Sequence, residues 1–270
     1  MTALIVQADD IAITHGTTLG ILDAISGGIV RATGMFTNCP DAVFAASRVR
    51  EMPGVDVGID LNFVTGSPLL PATQVPGLVT ASGRFRSSGE IRAAYRVTGG
   101  DMVYTEFETD PFDAEQTMAE ARAQIDRFVE LMGRMPDYVH HHSLVSPVSD
   151  DVVRQAAADI DAPFVDDLYR GGGLPLLPND WYAKPFPLED QAKADAVGAM
   201  ERLLPQILAN DVSLLIVHPG YVDAEILSLS SYSIIRARDL ELVTSPAVRR
   251  LLEDAGVEVM SFAGSGILGS

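Results

Sequence analysis

The chain has 270 residues, 47% of them hydrophobic and 21% charged, a composition typical of globular proteins with a large buried core. Its 37 acidic and 19 basic residues give a formal net charge of -18, which disfavours nucleic acid and anionic membranes as partners. The single cysteine, Cys39, excludes an intrachain disulfide and a cysteine-clustered zinc site, so His, Asp or Glu must bind any metal.

The beginning of the sequence does not have the pattern of a secretory signal. Its first ten residues, MTALIVQADD, lack a basic region and reach charged residues after a short apolar run. No stretch approaches the ~18 consecutive apolar residues of a transmembrane helix. We therefore expect a cytoplasmic protein, with a homodimer as the commonest assembly.

Apolar segments in the first sixty residues alternate between strand-like and helical patterns. Short runs rich in β-branched residues predict strands, whereas apolar residues that recur every three or four positions predict helices. The predicted elements are a strand at 3–6, a helix that ends at Gly27 and Gly28, an extended segment at 29–37, a helix at 40–51 and a strand at 55–61.

The clearest helix in the chain spans 113–132, with Asp113 as its N-cap and Gly133 at its end. Ser245 and Pro246 predict another helix start, and Gly256 predicts its end. The remaining predictions are strands at 138–142, 162–165, 212–217 and 257–262 and helices at 149–158 and 189–209. Residues 64–110 lack a sustained period and predict a long loop on the substrate side.

The alternation of strands and helices, with strands too apolar for a solvent-exposed face, predicts a parallel sheet covered by helices. Barrels of the α/β type commonly form one unit at this length. No repeat, linker or low-complexity tract marks a boundary. We therefore predict one α/β domain over residues 1–270.

Nearly every histidine, and three aspartates, fall at or beyond the end of a predicted strand. The histidines are His15, His140, His141, His142 and His218, and the aspartates are Asp9, Asp10 and Asp60. Active sites of parallel α/β folds form at that edge. Although a lone histidine is more often structural than catalytic, this grouping predicts a site.

Asp9 and Asp10 are the strongest local signal for chemistry. Two adjacent carboxylates are costly to leave unpaired in a dry cleft, and a bound cation removes that cost. Their side chains diverge on an extended segment, so one can bind a metal while the other acts as a base. The alternative interpretation is that the pair opens a loop and caps the next helix.

The histidines offer a ligand pair and an acid. On a strand His140 and His142 point to one face and His141 to the other, which suits two metal ligands, although a solvated edge is the alternative. His218 follows the most apolar strand and precedes Pro219 and Gly220, a turn that exposes its imidazole to a leaving amine. The alternative for His218 is a buried histidine bonded to a backbone carbonyl.

Several motifs, in their order and spacing, resemble those of the YdjC-like carbohydrate deacetylases, which include the chitooligosaccharide deacetylases. The resemblance extends from residue 3 to about 262. It is carried by Ala8-Asp9-Asp10, Gly58-Ile59-Asp60-Leu61-Asn62, the segment 136–142, His218-Pro219-Gly220-Tyr221, Ser231-Tyr232, Arg238-Asp239, Glu241-Leu242 and Ser245-Pro246.

This resemblance implies an irregular (β/α) barrel related to the polysaccharide deacetylase barrels, and a metal-dependent hydrolase that removes an N-acetyl group from an amino sugar or oligosaccharide. It implies that Asp9 is the base, that Asp10 and His142 bind one divalent metal ion, and that His218 is the acid or a transition-state partner. The metal would polarise the acetyl carbonyl and the attacking water.

Two departures from the family pattern alter the implied metal site. Asp60 stands where the family has histidine, and His140 stands where the family has aspartate. Asp60 can still bind a metal, in a more anionic shell that favours Mg²⁺ or Mn²⁺ over Zn²⁺, or His140 can supply the missing imidazole. Ser143, Leu144 and Ser146 also replace family histidines.

The substrate follows less directly from the sequence than the reaction does. We predict His15, Asn62, Trp181, Tyr221 and Arg238 as substrate-binding residues, with Trp181 and Tyr182 suited to stack on or hydrogen-bond a sugar. The alternatives are the same barrel acting on another amide, an ester or a lactone, and a degenerate family member that binds carbohydrate without turnover.

Overall fold

A computed structural model describes residues 2–100, 104–179, 181 and 187–268. The strands are β1 (Thr2–Ile11), β2 (Ala32–Met35), β3 (Asp56–Leu61), β4 (Val97–Gly100), β5 (Thr105–Phe107), β6 (Val139–His141), β7 (Val212–Val217) and β8 (Val257–Met260). The helices are α1 (His15–Ser26), α2 (Ala42–Val49), α3 (Ser88–Ala94), α4 (Ala114–Met132), α5 (Pro147–Asp159), α6 (Val165–Arg170), α7 (Leu188–Lys193), α8 (Ala196–Leu208), α9 (Ile226–Leu229), α10 (Ile235–Thr244), α11 (Pro246–Asp254) and α12 (Phe262–Ser265).

The chain divides into two compact units. Unit 1 contains Met1–Met35, Pro40–Val57 and Asp167–Ser270, and unit 2 contains Phe36–Cys39 and Gly58–Asp166. Strand β3 begins in unit 1 and ends in unit 2. The single domain predicted for residues 1–270 stays a prediction.

The core of unit 1 is a parallel sheet centred on β1. β1 pairs with β7 from Ala3 to Ala8, while β8 pairs with its first half and β2 with its second half. All residues of β1 after Thr2 are buried, as expected for a strand covered by helices on both faces. Helices α1 and α8 pack against β1, and α10 packs against both of these helices.

Unit 2 is built on the end of β3 and on β6, which run parallel in the register Ile59–Val139, Asp60–His140 and Leu61–His141. Helices α4 and α5 pack against each other in this unit. The side chain of Asp113 caps α4 by accepting from the Gln116 N–H, and Gly133 ends the helix at a φ of 71°, as predicted. The antiparallel hairpin β4–β5 is a separate two-stranded sheet.

The mixed α/β class and the parallel strands are confirmed, but a closed barrel is not shown. In unit 1 the described strands pair in the order β3-β2-β1-β7, and in unit 2 β6 pairs with β3. β8 also pairs with β1, and isolated bridges join Leu176 to Leu214 in unit 1 and Phe164 to Val139 in unit 2. The described part of the sheet is therefore open.

Several predicted elements differ from the structure. The strand at 162–165 is wrong, because only Phe164 forms a bridge and α6 begins at Val165. The helix at 189–209 is divided into α7 and α8, where Asp195 caps the second helix by accepting from the Gly198 N–H. The segment 64–110 is not loop alone, because it contains α3 and both strands of the β4–β5 hairpin. Within the described ranges, no helix combines the length and apolarity required to cross a membrane.

Gly58 on β3 leaves no space for a side chain. A Cβ atom at Gly58 would overlap the ring of the fully buried Tyr138, 2.3 Å from its nearest atom. We predict that Gly58→Ala lowers the free energy of unfolding by roughly 1–3 kcal/mol, the usual cost of overpacking a core. Urea denaturation followed by circular dichroism measures this change.

Gly89 on α3 provides the matched control, since a Cβ atom there meets no other atom within 4 Å. Gly89→Ala should leave the urea midpoint unchanged or raise it, because alanine favours helix. Equal losses in the two variants would show that the close packing at Gly58 is not the cause.

Candidate active site

Asp9 and Asp10 lie in a bulge of β1 rather than after the strand. The pairing of β1 with β2 moves from Ala8–Thr33 to Ile11–Met35, so three steps on β1 match two on β2. Asp10 has a φ of 72°, a conformation that aspartate tolerates better than most residues. The bulge therefore directs the two carboxylates differently from a regular strand.

The Asp9 carboxylate lies beside His218 in unit 1. Its Oδ1 accepts from the Gln7 side-chain amide at 2.6 Å, and its Oδ2 lies 4.0 Å from His218 Nε2. Asp9 is buried, whereas the His218 side chain is 20% exposed. A carboxylate and an imidazole at this separation can exchange protons through a small rearrangement or one water.

Asp10 forms a buried ion pair with Arg236 on α10. Arg236 Nη2 lies 2.5 Å from Asp10 Oδ2, and both side chains are at most 2% exposed. The Arg236 guanidinium also donates from Nε to the Tyr232 carbonyl. Burial raises the pKa of the Tyr232 phenol, and the Asp10 charge raises it further, so Tyr232 stays neutral.

Asp239 on α10 holds the backbone of His218 and also bonds to Trp181. Asp239, fully buried on α10, accepts from the His218 backbone N–H at 2.7 Å and from Trp181 Nε1 at 2.9 Å. The ring of Tyr232 lies 5.5 Å from the His218 ring. Burial raises the pKa of Asp239 to about 7, against the lowering effect of its two hydrogen bonds.

Asp60 and His140 form a buried pair in unit 2. They are register neighbours on β3 and β6, and His140 Nδ1 lies 3.0 Å from Asp60 Oδ1. On the other side of the imidazole, His140 Nε2 lies 3.8 Å from Asp166 Oδ2. Two carboxylates thus face one histidine, a donor set that suits a divalent cation.

His142 follows the last residue of β6, and its N–H donates to the Leu61 carbonyl of β3 at 3.0 Å. β6 ends at His141, and Ser143 has a φ of 64°, so the chain turns directly after His142. His142 Nε2 lies 3.4 Å from Thr65 Oγ1, and its ring meets Phe36 edge-on at 4.6 Å. His140 is therefore the histidine of this strand that lies beside Asp60, and the role of His142 as a ligand stays a prediction.

The predicted substrate residues have contacts that organise loops. Asn62 bonds with Asn38, Val64, Thr65 and Gln124 in unit 2. In unit 1, His15 pairs with Asp41 at 3.0 Å, the Tyr221 hydroxyl donates to Asp23, and Arg238 binds the Ala192 carbonyl and Glu241. Their role toward substrate stays a prediction, and Tyr182 lies outside the described residues.

Three residues in these clusters have no role in the sequence analysis: Arg236, Asp239 and Asp166. Arg236 and Asp239 are spaced i, i+3 among Ile235, Leu240 and Leu242, a pattern that could have indicated a buried polar pair on a helix. Asp166 directly follows the wrongly predicted strand at 162–165 and gives no comparable signal.

Comparison with known proteins identifies one family over most of the chain. A protein-family model described as YdjC-like protein matches residues 3–254. Carbohydrate deacetylase 2 of Listeria innocua serovar 6a is 27% identical over 264 residues, covering 96% of this chain and 97% of that protein. Chitooligosaccharide deacetylase of Yersinia enterocolitica is 27% identical over 269 residues, covering 96% and 98%.

Solved structures support the fold. A crystal structure from Enterococcus faecalis V583, of a protein named for cellobiose-phosphate cleavage, has a TM-score of 0.75 at 23% identity and covers 97% of this chain and 98% of that chain. A mutant of a CE4 family pseudoenzyme gives a TM-score of 0.51 at 9% identity, covering 97% and 66%. At these identities the two structures support the α/β fold alone.

The buried Asp239 carboxyl predicts a pH-dependent difference between the wild type and Asp239→Asn. Because its pKa is raised in the folded state, the folded protein holds a proton that the unfolded chain releases, and this contribution to stability is lost as pH rises from about 4 to about 7. The stability advantage of the wild type over Asp239→Asn should therefore shrink over that range and stay constant above it.

Urea denaturation of both proteins at several pH values measures this difference. At pH 4 the variant should be less stable than the wild type by roughly 1–3 kcal/mol, because its amide can accept from only one of the two donors. An advantage of the wild type that grows from pH 4 to pH 7 would contradict the raised pKa.

Proposed function

Because this chain belongs to the YdjC-like protein family, we propose that it is a metal-dependent hydrolase that removes an N-acetyl group from an amino sugar or oligosaccharide. The names of the relatives, carbohydrate deacetylase and chitooligosaccharide deacetylase, support this substrate class. The observation that carries the proposal is the placement of Asp9 beside His218, which provides a base and an acid for amide hydrolysis.

The proton transfers follow from the contacts of these two residues. Asp9 takes a proton from the attacking water as the oxygen bonds to the acetyl carbon, and the Gln7 amide fixes its carboxylate. His218 Nε2 then gives a proton to the amine nitrogen as the carbon–nitrogen bond breaks, which yields acetate and the free amino sugar. Asp239 holds the His218 backbone, so the imidazole is already in position before substrate binds.

We assign Asp60 and His140 to a divalent ion in unit 2, and Asp10 stays a predicted metal ligand in unit 1. Asp60 Oδ1 and His140 Nδ1 lie 3.0 Å apart, so a carboxylate and an imidazole that could hold a divalent ion converge at one place. A bound divalent ion supplies polarisation of the acetyl carbonyl and of a water molecule. The carboxylates favour Mg²⁺ or Mn²⁺, while the imidazole also suits Zn²⁺.

A second assignment makes Asp9 rather than Asp10 the predicted metal ligand of unit 1. It is favoured by the ion pair of Asp10 with Arg236, because an arginine already compensates that charge. The Asp9 carboxylate is also a ligand type that divalent ions take. In this assignment His218 handles both protons of the reaction.

We predict that removal of divalent ions abolishes turnover. Exhaustive dialysis against a chelator should reduce acetate release from N-acetylated chitooligosaccharides to background, and Mg²⁺, Mn²⁺ or Zn²⁺ should restore it. Undiminished turnover in the chelated protein would contradict the proposal. Acetylated esters and lactones run in parallel distinguish the other hydrolases, and sugar-induced stabilisation without product would identify a non-catalytic carbohydrate-binding protein.

Asp9→Asn and Asp10→Asn should distinguish the general base from the metal ligand. Asp9→Asn is expected to keep metal affinity and to lose kcat by about 10²- to 10⁴-fold, the usual contribution of a general base. Asp10→Asn is expected to lose metal affinity. Steady-state kinetics and calorimetric metal titration measure the two effects.

The exposed Asp151 on α5 supplies the matched control for charge, since its side chain is 86% exposed. Asp151→Asn should change neither quantity. Circular dichroism must show that each variant is folded, because Asp10→Asn also removes the partner of Arg236. If Asp9→Asn loses the metal while Asp10→Asn keeps it, the second assignment replaces the first.

A further inference from the structure

We propose that Asp166 is a positioning residue that orients His140 for metal binding, an inference that rests on the proposed metal site of unit 2. Asp166 Oδ2 lies 3.8 Å from His140 Nε2, on the opposite side of the ring from Asp60. The Asp166 side chain has no exposure to solvent. Its buried carboxylate thus faces the imidazole nitrogen that does not face Asp60.

The backbone holds Asp166 firmly at this position. The Val139 N–H donates to the Pro163 carbonyl at 2.8 Å, and Phe164 forms a bridge with Val139, so the segment before Asp166 lies beside β6. The His141 N–H then donates to Asp166 Oδ2 at 3.2 Å. The carboxylate is therefore attached to the same strand that carries His140.

The position of Asp166 bears on which nitrogen of the His140 imidazole can bind a metal. A neutral histidine has one N–H group, and only its other nitrogen can bind a metal. Histidine ligands usually donate that N–H to a carboxylate, which fixes the tautomer and raises the basicity of the ligand nitrogen. A proton on Nε2 would face the Asp166 carboxylate at 3.8 Å, so that Nδ1 would be the nitrogen without a proton, able to bind the cation together with Asp60.

Asp166 also bonds to the backbone, so the test must separate positioning from folding. Asp166→Asn keeps an oxygen that can accept from the His141 N–H but removes the charge that faces His140. We expect calorimetric titration with Mn²⁺ and with Zn²⁺ to show an affinity 10- to 100-fold lower than that of the wild type. Asp167→Asn, an identical change at the exposed neighbouring residue, should bind with unchanged affinity.

Each result has a distinct meaning. If the wild type binds neither ion, the proposed metal-dependent function fails. If the wild type binds and folded Asp166→Asn binds equally well, only the role of Asp166 fails. Thermal unfolding of the metal-free proteins shows whether the variant folds.

A spectroscopic measurement on the wild type keeps the inference testable if Asp166→Asn does not fold. Nitrogen-15 NMR of the Zn²⁺-loaded protein, with His140 assigned through His140→Gln, shows which ring nitrogen carries the proton. We expect the proton on Nε2. A proton on Nδ1 would overturn the proposed orientation.

Discussion

The ion pair between Asp10 and Arg236 is the interaction on which the polar cluster of unit 1 depends. The β1 bulge buries two adjacent carboxylates, Asp9 and Asp10, which would repel each other without a nearby cation. Arg236 compensates one of them through a buried contact. Removing one partner of such a pair typically costs roughly 3–5 kcal/mol, because the other charge stays buried and unpaired.

Helix α10 therefore supports the cluster at two points. Arg236 holds Asp10, and Asp239, three residues later on the same side of the helix, holds the His218 backbone and Trp181. A displacement of α10 would move both contacts together. The acid, the carboxylate pair and the tryptophan are thus coupled through one short helix rather than through direct contacts alone.

Sequence patterns predict the acid–base pair of Asp9 and His218, but not the residues of α10 that hold it. Asp9, Asp10 and His218 are recognisable because they end strongly apolar strands, and strand ends are where parallel sheets form their sites. Apolar periodicity does not reveal Arg236 and Asp239, because α10 buries charged residues among its apolar ones and so lacks an amphipathic period; only their i, i+3 spacing could have indicated them. The same limit explains the predicted strand at 162–165, where apolar residues belong to a single bridge and a helix start.

In unit 2 the sequence pattern predicts histidines and an aspartate at strand ends, but not which of them lie beside each other. Period-two alternation predicts His140 and His142 on one face, but it does not say which residue of a neighbouring strand lies opposite each of them. The register of β3 and β6 places His140 opposite Asp60. Parallel register, which depends on β3 and β6 together, cannot be read from either strand alone.

The two clusters differ in their formal charges, and this difference fits the separate chemistry proposed for each. In unit 1 the carboxylates of Asp9 and Asp10 have Arg236 as a cation, and Asp239 carries a pKa raised to about 7. Since Arg236 is paired with Asp10, the Asp9 carboxylate stays available beside His218, which suits proton transfer between these two residues. In unit 2 Asp60 and Asp166 face one imidazole, with the carboxylates in excess. A buried excess of negative charge is stabilised by a divalent cation, which is why we assign the metal to the pair of Asp60 and His140.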